Sequence, residues 1–186
     1  HCLKTDTGND IWTRKVSQEI ESSSVVNLGS SSVVNEDCLY FGTNEGSIYS
    51  IACTNGNENW KFNSKSKIVG GPVISGNLLL VTTEEKSLIA LDKSVGTKQW
   101  QTDLEYTSFT PAVTNESVFV NGWKRIEKYR LDDGLLQDRT FLDSGIVTPP
   151  IITERLLLVG TDESFTVLGP ATNASKAQNQ PDTKLY

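Results

Sequence analysis

Adjacent acidic residues are the side chains of this sequence with the clearest potential for chemistry. They occur as three pairs, Glu84-Glu85, Asp132-Asp133 and Asp162-Glu163. Two neighbouring carboxylates act as a metal site or as an acid and base only when they face a common enclosed site. Each pair falls in a predicted hairpin turn, where carboxylates are usually solvated. The sequence therefore favours ordinary turn residues at all three places.

Other reactive residue types do not combine into a catalytic centre. His1 is the only histidine and lies at the terminus, so a Ser-His-Asp arrangement has no base. Three cysteines and one histidine show no CxxC pair and no usual zinc spacing. No G-x-x-x-x-G-K-[ST] phosphate loop is present. We predict no catalytic residue and no metal site in this chain.

The cysteines and two glycosylation sequons bear on where the protein works. Cys38 and Cys53 flank a predicted hairpin at nearly equal distances, so a disulfide between them is geometrically conceivable, although free cysteines are common in strands. Asn115 and Asn173 begin N-x-S sequons, which are candidate glycosylation sites and also arise by chance. The sequons favour an extracytoplasmic protein, whether periplasmic, cell-surface or secreted.

Composition narrows the class of partner. The 186 residues carry a net charge of −6 with lysines scattered among acids, so no basic stripe exists to bind nucleic acid. No apolar run approaches the roughly 20 residues of a membrane span. Because the chain begins at His1 and contains no Met, we expect a processed, trimmed or internal N-terminus, from which a signal or anchor has been removed.

A period of 39 to 40 residues organises the chain. Pro72, Pro111 and Pro150 recur every 39 residues, and the matching position one period earlier is Ser32. Proline suits the first residue of a strand. Each of these positions precedes two short apolar strands and a third strand after a tight turn, in which Gly46 supplies a positive φ. Four antiparallel strands per repeat predict an all-β fold, a β-propeller of four-stranded blades.

The predicted repeats divide the chain into blades. We expect a partial blade over 1–16, blades over about 24–62, 72–102 and 111–141, a partial blade over 150–168, and a tail or linker over 169–186. A tandem copy disturbs the register of the second blade, because Ser22–Gly29 and Ser30–Asn35 nearly repeat each other. Either copy can form the innermost strand, and the other becomes a loop or an added edge strand.

One segment resembles a known repeat signature. Ala90–Trp100 resembles the AxDxxTGxxxW motif of quinoprotein-type propellers, the PQQ-like repeat family, with Val95 where Thr is usual. Weaker copies run from Cys2 to Trp12 and from Ser50 to Trp60, and Lys128–Asp138 keeps only the glycine. The resemblance covers roughly residues 1–170. Within this family, the chain is similar to outer-membrane assembly lipoproteins and sensor-type propellers.

The resemblance implies structural roles for the recurring glycines and tryptophans. The glycines permit the turn, and each tryptophan docks between adjacent blades; the alternative is that the indoles stack on a cofactor. The residues concerned are Gly8, Gly56, Gly96, Gly134, Trp12, Trp60 and Trp100.

The resemblance also implies two functions. The leading one is a non-catalytic binding or scaffold domain for protein–protein or ligand interaction, without a cofactor. The alternative is a segment of a PQQ-dependent dehydrogenase that oxidises alcohols or sugars with PQQ and Ca²⁺. The family's vicinal disulfide needs adjacent cysteines, which this chain lacks.

The fourth repeat departs most from its siblings. Trp123, Lys124 and Arg125 stand where the other repeats have small or acidic turn residues. The turns between second and third strands and the connections between blades are predicted to share one face of the propeller. An aromatic residue beside two cations on such a face is typical of a protein contact. The alternative is that Trp123 covers a neighbouring blade.

Four and a half to five repeats leave the closure of a ring open. Further chain segments can complete it, or blade strands from both ends can form one composite blade, or the protein can form a homo-oligomer. A bare half-ring is the least favourable state, because open sheet edges aggregate.

Overall fold

The computed structural model describes residues 1–16, 19–20, 25–27, 38–153 and 156–169. These described residues form seventeen β-strands and no helix, which confirms the all-β prediction. The strands are β1 (Cys2–Leu3), β2 (Asp10–Trp12), β3 (Val25–Asn27), β4 (Cys38–Gly42), β5 (Ser47–Ala52), β6 (Glu58–Asn63), β7 (Ile68–Ser75), β8 (Leu78–Thr83), β9 (Ser87–Asp92), β10 (Lys98–Asp103), β11 (Ala112–Val113), β12 (Ser117–Asn121), β13 (Arg125–Arg130), β14 (Leu136–Phe141), β15 (Ile151–Ile152), β16 (Leu157–Gly160) and β17 (Phe165–Leu168).

The strands pair in chain order to give five antiparallel sheets, which we number as blades. Blade I contains β1 and β2, and blades II, III and IV are the four-stranded sheets β3–β6, β7–β10 and β11–β14. Blade V contains β15, β16 and β17. The first strands of neighbouring blades lie side by side, β3 with β7, β7 with β11 and β11 with β15. This arrangement is a propeller, in which the first strand of each blade lies nearest the common axis.

The core lies between the blades. Leu79 and Leu80 are consecutive residues of β8, and both are fully buried. Leu79 packs toward blade II with Tyr40 and Trp60, whereas Leu80 packs toward blade IV with Val118. Because alternate side chains of a strand point to opposite faces, blade III is covered on both sides. This explains why its strands read as continuous apolar runs rather than alternating ones.

The three prolines do not all begin strands. Pro111 and Pro150 are the residues immediately before β11 and β15. Pro72 instead lies inside β7, which begins four residues earlier at Ile68. Ile68 is fully buried and packs against Gly42 of blade II. This contact explains why β7 begins before the proline. The pairing of β7 with β8 shifts register between Gly70 and Val73. That irregularity accommodates a proline that has no N–H to donate.

The first of the two tandem copies forms the innermost strand of blade II. Val25, Val26 and Asn27 pair with Tyr40, Leu39 and Cys38 of β4. The second copy, residues 30–35, and the Ser32 position lie outside the described residues, as do Asn173 and residues 170–186.

Tight turns join β4 to β5 and β8 to β9 in the same way. Gly46 has a φ of 80°, as the sequence predicts, and its N–H donates to the carbonyl of Thr43. Lys86 takes the equivalent place in blade III with a φ of 59° and donates to the carbonyl of Thr83. A non-glycine residue in this region carries some backbone strain.

Neither a disulfide nor a composite blade forms in this structure. Cys2, Cys38 and Cys53 are not joined by a disulfide, and the cross-strand partner of Cys38 is Ala52. In the described chain, blade I and blade V are separate sheets, so their strands do not combine into one. The described part of the chain offers no helical segment with the length and hydrophobicity of a membrane span.

Candidate functional site

The connections between blades and the turns between second and third strands lie together on one face, which we call the loop face. Backbone hydrogen bonds join the two sets of loops. Ile68 N–H donates to the Thr43 carbonyl at 3.2 Å, and Ile146 N–H donates to the Trp123 carbonyl at 2.8 Å. The N–H of Asp162 donates to the Gly145 carbonyl at 2.9 Å. The loop face therefore has a backbone that is fixed by hydrogen bonds from blade II to blade V.

Trp123 is the most exposed tryptophan of the described chain. Its side chain lies on the loop face and is 60% exposed. The edge of its ring rests against Gly145, where a Cβ would lie 3.2 Å from Cζ2 and Cη2. Trp123 thus contacts the connection to blade V and still offers more than half of its surface to solvent.

Lys124 and Arg125 differ in exposure although they are neighbours. Lys124 is exposed, and its Nζ donates to the backbone carbonyl of Asp143 at 2.6 Å. Arg125 is buried, with a side chain that is 11% exposed. Its guanidinium lies over the ring of Tyr106, 4.7 Å from the centroid. Of the three residues that the sequence singles out as contacts, only Trp123 and Lys124 reach the surface.

Arg125 belongs to a closed ring of four charges, which we call the charge ring. Glu105 Oε2 accepts from Arg125 at 2.6 Å, and Glu105 Oε1 accepts from Arg139 at 2.7 Å. Glu127 Oε1 completes the ring at 3.0 Å from Arg125 and 2.9 Å from Arg139. Buried charges persist only when they are paired and hydrogen-bonded, and here each carboxylate meets both guanidinium groups.

The charge ring perturbs the protonation of its members. The hydrogen bond from Arg125 lowers the pKa of Glu105. Burial raises the pKa of Tyr129, whose hydroxyl donates to Glu127 Oε2 at 2.7 Å. The ion pairs of the charge ring hold the connection that carries Glu105 against blade IV.

Sequence reasoning did not single out Glu105, Tyr106 or Arg139. A signal was present, because Arg125 and Glu127 replace the serine and apolar residues of earlier third strands. Their partners come from other elements, and no spacing in the sequence links Glu105 to Arg139.

Four large apolar side chains are exposed on the part of the loop face that leads to blades IV and V, and we call them the aromatic patch. They are Tyr106 (45%), Phe109 (42%), Trp123 (60%) and Val147 (50%). Tyr106 lies beside Gly122, where a Cβ would be 3.2 Å from its Cδ2. Phe109 is fixed at its backbone, because its N–H donates to Asn121 Oδ1 at 3.2 Å. Exposed aromatic residues on a rigid backbone are typical of protein-binding surfaces.

The other tryptophans lie between blades. The indole N–H of Trp12 donates to the Cys53 carbonyl at 2.7 Å, that of Trp60 to Lys93 at 2.9 Å, and that of Trp100 to Leu131 at 3.0 Å. Each ring covers the glycine three residues after that carbonyl, which is Gly56, Gly96 or Gly134. The φ values at those glycines are 74°, 73° and 71°. Gly8 shares this conformation, with a φ of 69°, but has no atom near its Cβ position.

The acidic pairs lie in turns and bends at the surface. Glu84 and Glu85 are exposed, and Asp133 pairs with Arg130 of its own blade. Asp162 Oδ1 accepts from the Gly145 N–H at 3.0 Å, and Glu163 Oε2 accepts from Ser144 at 2.8 Å. Among the described residues, no three His, Cys, Asp or Glu side chains are grouped to hold a metal ion.

Asn115 lies on the face opposite the loop face. It is exposed in the bend before β12 and borders an open groove of about 480 Å³ between blades III and IV. Its position leaves the amide accessible to solvent.

Comparisons with known proteins agree with the propeller architecture. A family model described as outer membrane protein assembly factor BamB matches residues 1–145. The outer membrane protein assembly factor BamB of Legionella pneumophila (strain Paris) is 25% identical over 171 residues, covering 88% of this chain and 44% of that protein. The chain therefore spans less than half the length of this curated relative.

Solved structures show the same fold at low identity. The crystal structure of BamB from Moraxella catarrhalis matches with a TM-score of 0.62 and 20% identity, covering 71% of this chain and 42% of that one. A quinohemoprotein alcohol dehydrogenase from Pseudomonas putida HK5 matches with a TM-score of 0.55 and 18% identity, covering 69% and 21%. These findings confirm the predicted quinoprotein-type repeat architecture.

Proposed function

Because the chain belongs to the family described as outer membrane protein assembly factor BamB, we propose that it is a protein-binding scaffold in outer-membrane protein assembly. In this proposal the propeller performs no chemistry. It works outside the cytoplasm and holds partner proteins on its loop face. The family match over residues 1–145 and the relatives of the same description support this reading.

The observation that carries the proposal is the aromatic patch on a fixed backbone. Aromatic side chains dominate the binding energy of protein interfaces, since they bury large areas with few rotatable bonds. The hydrogen bond from Ile146 to the Trp123 carbonyl holds one part of the patch. The charge ring holds another, because Tyr106 lies against Arg125. A surface that is ordered before binding loses less entropy when the partner docks.

The proposed function is tested by affinity capture from cells of the native host. The protein is tagged at its own locus, and envelope proteins that co-purify with it are identified. We expect components of outer-membrane protein assembly to be retained, and we expect Trp123→Ala to lose them. Leu135→Ala is the control, because Leu135 is 59% exposed but lies in a turn away from the loop face. Equal retention by both variants would remove Trp123 from the binding site.

We further propose that the scaffold works without a quinone cofactor. The likeness to the alcohol dehydrogenase concerns the fold alone. The acidic pairs lie in turns, where their carboxylates are either exposed or bound to neighbouring residues. The test is a titration of the folded protein with pyrroloquinoline quinone and Ca²⁺, followed by dye reduction with an alcohol or a sugar. Stoichiometric uptake with dye reduction would replace the scaffold proposal by the dehydrogenase alternative.

A further inference from the structure

An exposed carboxylate stands beside the exposed indole of the aromatic patch. Trp123 and Asp162 converge on Gly145 from two sides. A Cβ at Gly145 would lie 3.2 Å from Asp162 Oδ2 and 3.2 Å from Cζ2 and Cη2 of Trp123. The other oxygen of Asp162 accepts from the Gly145 N–H at 3.0 Å. Oδ2 therefore remains available next to the ring.

Two more acidic residues belong to the same loops. Glu163 follows Asp162 in the turn and is held through Ser144 at 2.8 Å. Asp143 is exposed, and its carboxylate makes no hydrogen bond to another described residue. We call Asp143, Asp162 and Glu163 the acidic collar of Trp123.

The two cations that follow Trp123 in the sequence make other contacts. Lys124 points its ammonium group to the backbone carbonyl of Asp143. Arg125 is buried and forms ion pairs with Glu105 and Glu127 in the charge ring. The loops around Trp123 thus carry three acidic residues and one exposed lysine, in a chain whose net charge is −6.

The acidic collar is held in place before any partner arrives. The carbonyl of Trp123 accepts from Ile146, the carbonyl of Gly145 accepts from Asp162 at 2.9 Å, and the carbonyl of Gly160 accepts from Val147 at 2.9 Å. These bonds join the β12–β13 turn, the connection to blade V and the β16–β17 turn. The backbone segments that carry Trp123 and Asp162 are therefore held together.

We propose that the acidic collar and Trp123 bind a partner-protein segment in which a lysine or arginine stands next to a nonpolar side chain. This proposal rests on the proposed scaffold function and specifies the chemistry of its partner. The face of an indole attracts a cation, and the surrounding carboxylates pair with it. The nonpolar neighbour packs against the remaining surface of the aromatic patch, from which it displaces water.

Fluorescence anisotropy with short labelled peptides tests the chemistry. The probes are a peptide of alternating leucine and arginine, its leucine and glutamate counterpart, and a serine and arginine peptide. We expect the intact chain to prefer the leucine and arginine peptide by at least about tenfold over each of the others, and to lose affinity as ionic strength rises. Equal binding of the leucine and glutamate peptide would refute the proposal.

Three variants locate the binding to the acidic collar. Trp123→Ala is expected to lower the affinity for the leucine and arginine peptide by about thirtyfold, because a tryptophan at the centre of an interface contributes much of the binding energy. Asp143→Lys is expected to weaken it by about two- to fivefold, since an exposed charge contributes modestly. Glu116→Lys makes the same charge change on the opposite face and should leave affinity unchanged. Equal losses for Asp143→Lys and Glu116→Lys would show a general charge effect and overturn the site.

The same variants in the capture experiment separate the two proposals. If Trp123→Ala loses the native partner while Asp143→Lys keeps it fully, the scaffold function stands and the cationic partner is wrong. If the native protein captures no envelope protein but keeps the peptide preference, the scaffold function fails and the surface chemistry stands.

Discussion

Replacing Gly96 by alanine tests how tightly tryptophan docking joins two blades. Gly96 has a φ of 73°, and a Cβ there would lie 2.5 Å from Cδ2 and Cε3 of Trp60. Alanine therefore meets two penalties. The left-handed backbone costs about 1–2 kcal/mol for a non-glycine residue. The clash forces the indole away from its site and weakens its hydrogen bond to Lys93, which adds about 2–4 kcal/mol.

Gly76→Ala in the same blade is the matched control. Gly76 has a φ of 56°, but no atom lies within 4 Å of its Cβ position. Its substitution carries the backbone penalty alone, about 1–2 kcal/mol. The predicted difference in unfolding free energy between the two variants is about 2–4 kcal/mol, which urea titration followed by circular dichroism resolves.

A third arm isolates the indole. In a Trp60→Ala background the ring is absent, so Gly96→Ala should cost no more than Gly76→Ala. The reasoning is wrong if Gly96→Ala and Gly76→Ala destabilise the native chain equally, or if the effect of Gly96→Ala persists undiminished without Trp60.

Three further outcomes are expected. Glu127→Gln should lower the unfolding free energy by about 3–5 kcal/mol, because it leaves the buried Arg125 with a reduced counter-charge. Urea titration measures this change. A loss below about 1 kcal/mol, the value of a surface ion pair, would show that the charge ring is not stabilising. Trp60→Phe should cost about 1–3 kcal/mol in the same assay, since it removes the indole donor and part of the packed ring; an unchanged midpoint would contradict the hydrogen bond to Lys93. The hydroxyl of Ser94 lowers the pKa of Asp92, so its contribution to stability is present above about pH 4 and is lost as pH falls through the lowered pKa. Asp92→Asn should therefore make the unfolding free energy slightly less sensitive to pH between about pH 5 and pH 3, and an unchanged slope would exclude that role.

The sequence predicts the repeat because local features recur. Gly46 marks a tight turn, and the short apolar runs around it read as strands wherever they occur in the chain. These are preferences of a few adjacent residues, and they determine strand order within a blade. Family and fold class follow from their recurrence.

Features that depend on contacts between distant elements were not predictable. Pro72 falls inside β7 because Ile68 packs beneath Gly42 of the preceding blade. Arg125 reads as an exposed cation in the sequence, yet Glu105 from another connection draws it inside. In both cases the deciding partner lies outside the blade concerned, at a separation that no local pattern reveals.

The interface between tryptophan and glycine has a consequence for how such a protein grows. The indoles of blades I, II and III each reach the turn of the next blade through one carbonyl and one glycine. A duplicated blade would arrive with its own indole and its own turn, so it would fit between two existing blades without altering either. Gene duplication of whole repeats therefore requires few compensating substitutions, and the same contact between tryptophan and glycine can connect blades in rings of different sizes.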